Sequence, residues 1–224
     1  MTRERARELA ARAERSGDPT GWFETLYREA RAGEAALPWA DGRPNPHVAA
    51  WFAEAAPAFG HALVVGCGLG DDAEWLAACR PGATVTAFDI APSAVAGARE
   101  RFPTSSVDYV VADLLALDGA WWRRFDLVIE AYTLQVLPPA LRPAALRALA
   151  ATVAPGGRLV VVTRGRETGE EQGELPWPLV RRELDVLAQV GLEVMDDDDF
   201  VDDESPPVRR FRLVARRPDG PTKG

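Results

Sequence analysis

The sequence predicts an α/β fold in which a mostly parallel sheet is covered by helices on both faces, with an antiparallel C-terminal strand at one edge. Two observations predict this fold. Short β-branched runs alternate with helical segments from about residue 58 onward, and these runs are almost continuously apolar. Such strands are buried on both faces, because each crossover helix packs its apolar stripe against the sheet. The length of 224 residues fits one domain of this kind.

The first 57 residues differ in composition from the rest of the chain. They are helix-like, rich in Ala, Arg, Glu and Trp, and interrupted by several Gly and Pro residues. We expect residues 1–57 to form an N-terminal helical cap, or lid, within the same domain as a core at residues 58–217. We expect residues 218–224 to form a frayed tail.

Five β-branched runs and the segments between them predict the alternating core. The predicted strands are Ala62–Val65, Thr84–Phe88, Val107–Val111, Leu127–Ile129 and Leu159–Thr163. The segments with apolar residues near helical spacing are Asp71–Cys79, Ala91–Arg101 and Ala140–Val153. Trp121 and Trp122 lie between two of the strands, and we expect both to close the core.

The C-terminal part departs from this alternation. A predicted helix at about Leu179–Val190 is followed by two candidate strands, Leu192–Met195 and Val208–Arg216, without a helix between them. Two such strands most simply pair antiparallel at a sheet edge. The acidic run between them includes Asp196–Asp199, and a calcium loop would need alternating ligands and a turn glycine, which are missing. The run therefore predicts a solvated edge loop.

Composition and charge exclude several kinds of partner. The formal net charge of −8 argues against nucleic acid as a partner. No apolar run reaches the roughly 18–20 residues of a membrane span, and the first residues lack the apolar segment of a signal peptide. We therefore expect a cytoplasmic protein without a membrane partner. Two cysteines, two histidines and no CxxC pair predict no metal site. The oligomeric state stays open.

A glycine-rich turn, Gly66-Cys67-Gly68-Leu69-Gly70-Asp71-Asp72, connects the first predicted strand to a helix. Glycines allow a tight turn and a close approach of the backbone to a ligand, and the helix N-terminus offers free N–H groups. Asp89 ends the second strand, where a carboxylate can accept hydrogen bonds from both hydroxyls of a ribose. Asp113 ends the third strand, near the expected position of an adenine ring. These groups share the carboxyl edge of the sheet, which is the usual ligand crevice.

The spacing of the glycines bears on which nucleoside cofactor binds. A dinucleotide fingerprint reads G-x-G-x-x-G/A, and its third small residue falls at position 71, where this chain has Asp71. A carboxylate beside a pyrophosphate is repelled, whereas one beside a sulfonium or amino group is tolerated. The spacing thus favours S-adenosylmethionine over NAD. Asp71 has the alternative role of a first-turn helix carboxylate that the helix dipole stabilises.

Several segments, taken in order over residues 60–165, resemble the motifs of class I S-adenosylmethionine-dependent methyltransferases. These segments are Leu63–Gly70, Phe88–Ala91, Ala112–Leu114, Phe125–Glu130 and Ala154–Leu159. The resemblance implies a Rossmann-like, doubly wound sheet of seven strands. Two outer segments, Pro38–Pro46 after Thr20-Gly21-Trp22 and Tyr132–Arg142, are similar to the thiopurine, thiol and halide methyltransferase group. Glu130 departs from that group's pattern, which more typically has an aspartate there.

The resemblance implies a set of S-adenosylmethionine-binding residues. The methionine moiety would be lined by Gly66, Cys67, Gly68 and Gly70, with Asp71 and Glu130 nearby. The ribose and adenine would be bound by Asp89, Ile90, Ala112, Asp113 and Leu114. The lid over the cofactor would include Trp22 and Trp39.

Methyl transfer needs alignment of the acceptor and exclusion of water, and a base only where the acceptor is protonated. Tyr132, which follows the fourth strand, and His47, which follows a proline turn, are the candidate catalytic residues. Their alternatives are a rim residue of the core for Tyr132 and a surface histidine for His47. The expected acceptor is a small molecule, with a thiol or halide favoured over an oxygen or nitrogen atom of a metabolite. The alternative functions are non-catalytic S-adenosylmethionine binding, NAD-dependent oxidoreduction, and a cyclase or lyase reaction of S-adenosylmethionine.

Overall fold

The computed structural model describes residues 2–220. The helices are α1 (Thr2–Ser16), α2 (Trp22–Arg31), α3 (Pro46–Ala55), α4 (Asp71–Cys79), α5 (Pro92–Arg101), α6 (Arg142–Thr152) and α7 (Val186–Gln189). The strands are β1 (His61–Val65), β2 (Thr84–Asp89), β3 (Asp108–Val111), β4 (Phe125–Ala131), β5 (Val153–Arg166), β6 (Leu179–Val180), β7 (Glu193–Val201) and β8 (Arg209–Arg216). Of the predicted tail, residues 218–220 have no regular structure, and residues 221–224 lie outside the described residues.

Seven strands form one sheet in the order β3-β2-β1-β4-β5-β8-β7. Neighbours from β3 through β5 are parallel, whereas β8 runs antiparallel to β5 and β7 antiparallel to β8. The two-residue β6 pairs with β5 outside this order. The predicted doubly wound sheet with an antiparallel C-terminal edge is thereby confirmed. The strand order reverses between β1 and β4, and a ligand crevice forms at the carboxyl ends of the strands at such a point.

Alternate residues of each central strand enter two different apolar clusters, one on each face of the sheet. In β1, Leu63 and Val65 pack in the cluster that α6 and α7 cover. Ala62 and Val64 pack in the cluster that α3, α4 and α5 cover. Because both faces are buried, the strand has no polar alternation, which explains its continuous apolar sequence.

The first 57 residues contribute to two different layers. Helices α1 and α2 form a third cluster, in which Leu9 and Leu26 pack near Ala94 of α5. Helix α3 instead buries Val48 and Trp51 against the sheet face. Within residues 2–220, no helix has the length and apolarity that crossing a bilayer requires.

The predicted helix at Leu179–Val190 is wrong in its first half. The segment begins with β6 and continues as a 3-10 turn at Arg181–Asp185 before the short α7. A capping interaction fixes this turn, since the backbone N–H of Val180 donates to Glu183 at 2.8 Å. The apolar spacing that predicts a helix also suits this strand and turn, because Leu179, Leu184 and Leu187 are all fully buried.

The predicted acidic edge loop is also wrong, because Asp196–Asp199 lie within β7. Aspartate is a poor strand former by itself, but cross-strand pairs override this preference. Arg212 of β8 bonds both Asp196 and Asp198, while Asp199 accepts from Arg209 at 2.7 Å. The loop that remains between β7 and β8 is short, at residues 202–208.

The two tryptophans before β4 have different environments. Trp121 packs edge-on against Phe88 and Phe125, with ring centroids 5.4 and 5.8 Å apart, and it contributes to the core as expected. The expectation for Trp122 is wrong, since this residue is 63% exposed. Its ring lies beneath the Arg123 guanidinium at 5.5 Å, so a surface cation–π contact takes the place of core packing.

Candidate functional site

A cavity of about 550 Å³ lies at the carboxyl ends of the central parallel strands. The glycine turn after β1 and the ends of β2, β3 and β4 form its floor. Its roof comes from α1, α2, the segment 38–47, Leu175-Pro176 and the loop between β7 and β8. A small-molecule site has a volume of about 300–1,000 Å³, so this cavity has the size of one.

The glycine turn owes its shape to left-handed backbone conformations. Gly66 has a φ of +60° and Gly68 a φ of +52°, and both line the cavity with Cys67. A Cβ atom on Gly66 would overlap the Thr133 hydroxyl, and one on Gly68 would lie 2.9 Å from the Tyr27 hydroxyl. Gly70 is the N-cap of α4 and does not line the cavity. The backbone of the turn is thus open to a ligand because side chains are excluded there.

Asp89 connects the second strand end to the glycine turn. Its Oδ2 accepts from the backbone N–H of Gly68 at 3.0 Å, and its Oδ1 accepts from Ala91 at 2.9 Å. Burial raises the pKa of Asp89 to about 6, against the effect of these N–H groups. The carboxylate lines the cavity beside Ile90. Each of its oxygens can accept a second hydrogen bond, so Asp89 both organises the floor and presents acceptors to a ligand.

The end of β3 forms a mostly apolar wall. Ala112, Asp113 and Leu114 line the cavity next to Ile90. The Asp113 carboxylate accepts from the backbone N–H of Leu115 at 2.8 Å and begins a 3-10 turn. This wall thus combines apolar side chains with one carboxylate.

The two acidic residues at the start of α4 have different roles. Asp71 lines the cavity and accepts from Arg101 at 2.8 Å, so its charge is paired. Asp72 accepts from the backbone N–H of Asn45 at 2.6 Å, which ties the segment 38–47 to the core. Burial raises the pKa of Asp72 to about 6.

Glu130 lies behind the cavity wall and is fully buried. Its Oε1 accepts from the backbone N–H groups of Thr133 and Leu134, at 2.7 and 2.9 Å, while its Oε2 has no hydrogen-bond partner. Burial raises the pKa of Glu130 to about 7. Glu130 therefore shapes the turn after β4, and it does not line the cavity itself.

The two tryptophans expected in the lid are in contact with each other. Trp39 lines the cavity, and its indole N–H donates to the Tyr27 hydroxyl at 2.8 Å. Trp22 is buried behind Trp39, with ring centroids 6.2 Å apart, and it stacks on Phe23. Trp22 supports the lid from behind, whereas Trp39, Tyr27 and Phe23 face the cavity.

The two candidate catalytic residues, Tyr132 and His47, both line the cavity beside residues of β8 and the β7–β8 loop, whereas Asp89 ends β2 on the other side of β1 in the strand order. Tyr132 follows β4 with a φ of +71°, and the Arg210 guanidinium lies 4.5 Å above its ring. Burial raises the pKa of Tyr132, which keeps its hydroxyl protonated. His47 follows Asn45, whose side chain caps α3 by accepting from two backbone N–H groups. Burial, and next Arg210, lower the pKa of His47.

A buried ionic cluster that sequence reasoning missed lies beside these two residues. Arg210 and Asp202 are both nearly inaccessible and are joined by a hydrogen bond of 2.6 Å. Glu204 bonds Arg210 and lies 3.5 Å from Arg164. No local sequence pattern indicates Asp202, Glu204 or Arg210 as a site residue, because only the antiparallel register of β7 and β8 brings them to the cavity. Within residues 2–220, no group of three or more His, Cys, Asp or Glu residues is placed to hold a metal ion.

Comparison with known proteins shows which domain family and which relatives the sequence resembles. Residues 62–157 match a family profile described as a methyltransferase domain. Thiocyanate methyltransferase 1 of Arabidopsis thaliana is 30% identical over 133 residues, which cover 58% of this chain and 57% of that protein. The chain thus spans little more than half of that relative's length. A 2-heptyl-1-hydroxyquinolin-4(1H)-one methyltransferase of Mycobacteroides abscessus is 29% identical over 72% of each chain.

Solved structures share the fold. The 1,6-didemethyltoxoflavin-N1-methyltransferase of Burkholderia thailandensis, with bound 1,6-didemethyltoxoflavin and S-adenosylhomocysteine, superposes with a TM-score of 0.68 at 21% identity. The match covers 95% of this chain and 91% of that one. The ordered motifs, the sheet topology and these matches lead to one conclusion. The chain contains a methyltransferase domain at residues 62–157, and its motif order and sheet topology are those of the class I S-adenosylmethionine-dependent methyltransferases.

Proposed function

We propose that this protein transfers the methyl group of S-adenosylmethionine to a small molecule bound in the same cavity. The observation that carries the proposal is that two chemically different groups of residues line one cavity, on the two sides of the point between β1 and β4 where the strand order reverses. One end has the glycine turn, Asp89 and the apolar wall after β3. The other end has His47, Tyr132 and the charged residues of the β7–β8 loop. A nucleoside cofactor suits the first end, which leaves the second for an acceptor.

The residues at the first end fit S-adenosylmethionine. Asp89 keeps acceptor capacity on both carboxylate oxygens for two ribose hydroxyls. Ile90 and Leu114 offer apolar surface to the adenine, and the exposed backbone of the glycine turn suits the methionine moiety. Asp71 lies where a pyrophosphate would be repelled but an amino group would not.

The cofactor, when bound, supplies a methyl group on a sulfonium sulfur. The chain's own residues position the acceptor and exclude water. Phe23 and Trp39 of the cap line the cavity, and Leu175, which packs in the same apolar cluster, extends this cover together with Pro176. Alignment of two bound reactants in a closed site removes much of the entropic cost of a bimolecular reaction. Tyr132, as a protonated phenol, is proposed to donate a hydrogen bond to the acceptor.

The proposed acceptor is a small molecule, and the relatives do not agree on its acceptor atom. The names of the relatives support different acceptors, because one acts on thiocyanate, a small sulfur-containing anion, and another on a 1-hydroxyquinolin-4-one. We propose a cytoplasmic location, where S-adenosylmethionine is available to such an enzyme.

Calorimetric titration with S-adenosylhomocysteine tests the proposed function. We expect micromolar binding, no binding of NAD, and at least about tenfold weaker binding by Asp89→Ala, because hydrogen bonds to a charged group contribute about 1.5–3 kcal/mol each. The matched control is Asp118→Ala, which removes an exposed aspartate that caps the 3-10 turn Gly119–Trp121 by accepting from Ala120 at 2.7 Å, away from the cavity. Absence of binding by the folded wild-type protein would overturn the proposal.

A further inference from the structure

The loop between β7 and β8 presents a carboxylate to the candidate histidine. The Asp202 Oδ2 lies 2.6 Å from the Arg210 Nε and 3.7 Å from the His47 Nε2. The Asp202 and Arg210 side chains are 2% and 1% exposed, and the His47 side chain is 17% exposed. A buried carboxylate thus faces one ring nitrogen of a histidine that lines the cavity.

Asp202 is fixed in its position and in its charge. Its Oδ1 accepts from the backbone N–H groups of Glu204 and Val208, at 3.2 and 3.0 Å. Burial acts to raise the pKa of Asp202, but the Arg210 hydrogen bond and these N–H groups outweigh it and lower the pKa. The carboxylate therefore stays ionised and orients the imidazole as an acceptor for Nε2–H.

The second ring nitrogen of His47, Nδ1, does not face Asp202 and can therefore accept a proton from a substrate. Its ring packs edge-on against Phe200, with centroids 5.0 Å apart, which limits rotation. Burial lowers the pKa of His47, Arg210 and Arg212 lower it further, and Asp202 opposes them. The imidazole is therefore neutral at pH 7. A distance of 3.7 Å is long for a hydrogen bond, but catalytic hydrogen bonds are often long without substrate and shorten in the complex.

We propose that His47, oriented by Asp202, is the general base of this enzyme, and that the acceptor is a protic group of low pKa such as an aryl thiol, an acidic phenol or an N-hydroxyl. This inference rests on the proposed function. The proton of the acceptor X–H passes to Nδ1 of His47 and then to water. The electron pair of X forms the bond to the methyl carbon, and the carbon–sulfur bond breaks with its pair remaining on sulfur.

The neighbouring cations support this choice of acceptor. Arg210 and Arg164 line the cavity, and Asp202 and Glu204 pair with their charges. Within residues 2–220, however, Arg210 Nη1 and Arg164 Nε have no hydrogen-bond partner, so both can donate to the anion that deprotonation creates. A weakly basic imidazole cannot deprotonate an aliphatic alcohol efficiently, because proton transfer is most effective between groups of similar pKa. A halide or thiocyanate ion carries no proton at all, so it would make no use of the His47–Asp202 pair.

The imidazole itself can be measured without knowing the acceptor. The sequence holds two histidines, and His61 is exposed at the start of β1. In a His61→Gln background, nitrogen NMR therefore reports on His47 alone. We expect a neutral ring protonated on Nε2 at pH 7, with a pKa below the ordinary value. Asp202→Asn should lower this pKa further, because it removes the negative charge that stabilises the imidazolium. A ring that titrates normally, or that carries its proton on Nδ1, overturns the proposal.

Measurement of methyl transfer to chosen probes is the second test of the proposal. The probes are thiophenol and 2-heptyl-1-hydroxyquinolin-4(1H)-one as protic acceptors, against iodide and thiocyanate. We expect methylation of a protic probe and, at a pH below the pKa of that probe, a loss of about 10²–10⁴-fold in His47→Gln and a smaller loss in Asp202→Asn with an altered pH profile. Equal turnover by His47→Gln, or turnover of the aprotic ions alone, contradicts the proposal. If no probe is methylated, the NMR result decides. S-adenosylhomocysteine binding by His47→Gln shows separately whether the proposed function holds.

Discussion

The two ends of the cavity are built in different ways. The proposed cofactor end consists of segments that directly follow β1, β2 and β3, and Asp89 there is held by the backbone N–H groups of Gly68 and Ala91. The proposed acceptor end combines residues from α3, the turn after β4, and the loop before β8. Asp202 there is held by the Arg210 side chain as well as by backbone N–H groups. The proposed acceptor end therefore depends on a buried ion pair, whereas the position of Asp89 does not.

The largest effect on the free energy of unfolding is expected from Arg210→Ala, which breaks the ion pair at the proposed acceptor end. The change leaves Asp202 buried without its partner, and breaking a buried ion pair costs about 3–5 kcal/mol of unfolding free energy. Arg209→Ala is the matched control, because Arg209 is adjacent in β8 and pairs with the exposed carboxylates of Glu167 and Asp199. We expect the control to cost about 0.2–1 kcal/mol. Urea unfolding of both variants measures the difference, and similar losses would contradict the assigned role of Asp202.

A smaller effect on the free energy of unfolding is expected from Glu130→Gln, which changes a carboxylate that, within residues 2–220, is held only by backbone N–H groups. The pKa of Glu130 is about 7 in the fold against 4.5 for the free side chain, so the folded state binds the additional proton between these values. Its contribution to stability is therefore complete below pH 4.5 and is lost as pH rises through 7. Glu130→Gln keeps the bonds from Thr133 and Leu134 and removes this loss.

Denaturant unfolding at two pH values tests this. At pH 8 we expect Glu130→Gln to be more stable than the wild type by up to about 3 kcal/mol, and at pH 5 we expect the two to be nearly equal. Asp72 and Asp89 have raised pKa values as well, so part of the wild-type pH dependence remains in the variant. An unchanged pH dependence would show that Glu130 is ionised in the fold.

The smallest effect is expected from Tyr27→Phe, which removes the partner of the Trp39 indole N–H. One such bond contributes about 0.5–1.5 kcal/mol, and we expect a loss of that size together with weaker S-adenosylhomocysteine binding. Tyr109→Phe is the control, because its hydroxyl bonds Glu74 at 2.7 Å outside the cavity. The control should lose similar stability with unchanged affinity. Equal affinity in both variants would mean that Trp39 is not part of the lid over the cofactor.

The sequence predicts which residues line the cavity after β1, β2 and β3 better than it predicts those beside β8, for a physical reason. Gly66, Asp89 and Asp113 each sit where a predicted strand ends, and parallel strands bring their carboxyl ends together without further information. The placement of Asp202 beside His47 requires the antiparallel register of β7 and β8, which no local pattern specifies. The acidic run was predicted as a loop because its arginine partners, such as Arg212, become neighbours only through that register.

The sequence also does not predict that Glu130 and Trp22 lie behind the cavity wall. Motif position placed both near the cofactor, but whether a side chain faces the cavity or the core depends on its packing. Glu130 is directed to the N–H groups of the following turn, and Trp22 stacks on Phe23.

A crystal structure of the protein with S-adenosylhomocysteine would show directly which part of the cavity binds the cofactor. We expect ribose hydroxyls within hydrogen-bond distance of Asp89, adenine against Ile90 and Leu114, and the sulfur atom facing His47 and Tyr132. A cofactor bound with its adenine beside His47, or outside the cavity, would mean that the two ends of the cavity are assigned wrongly.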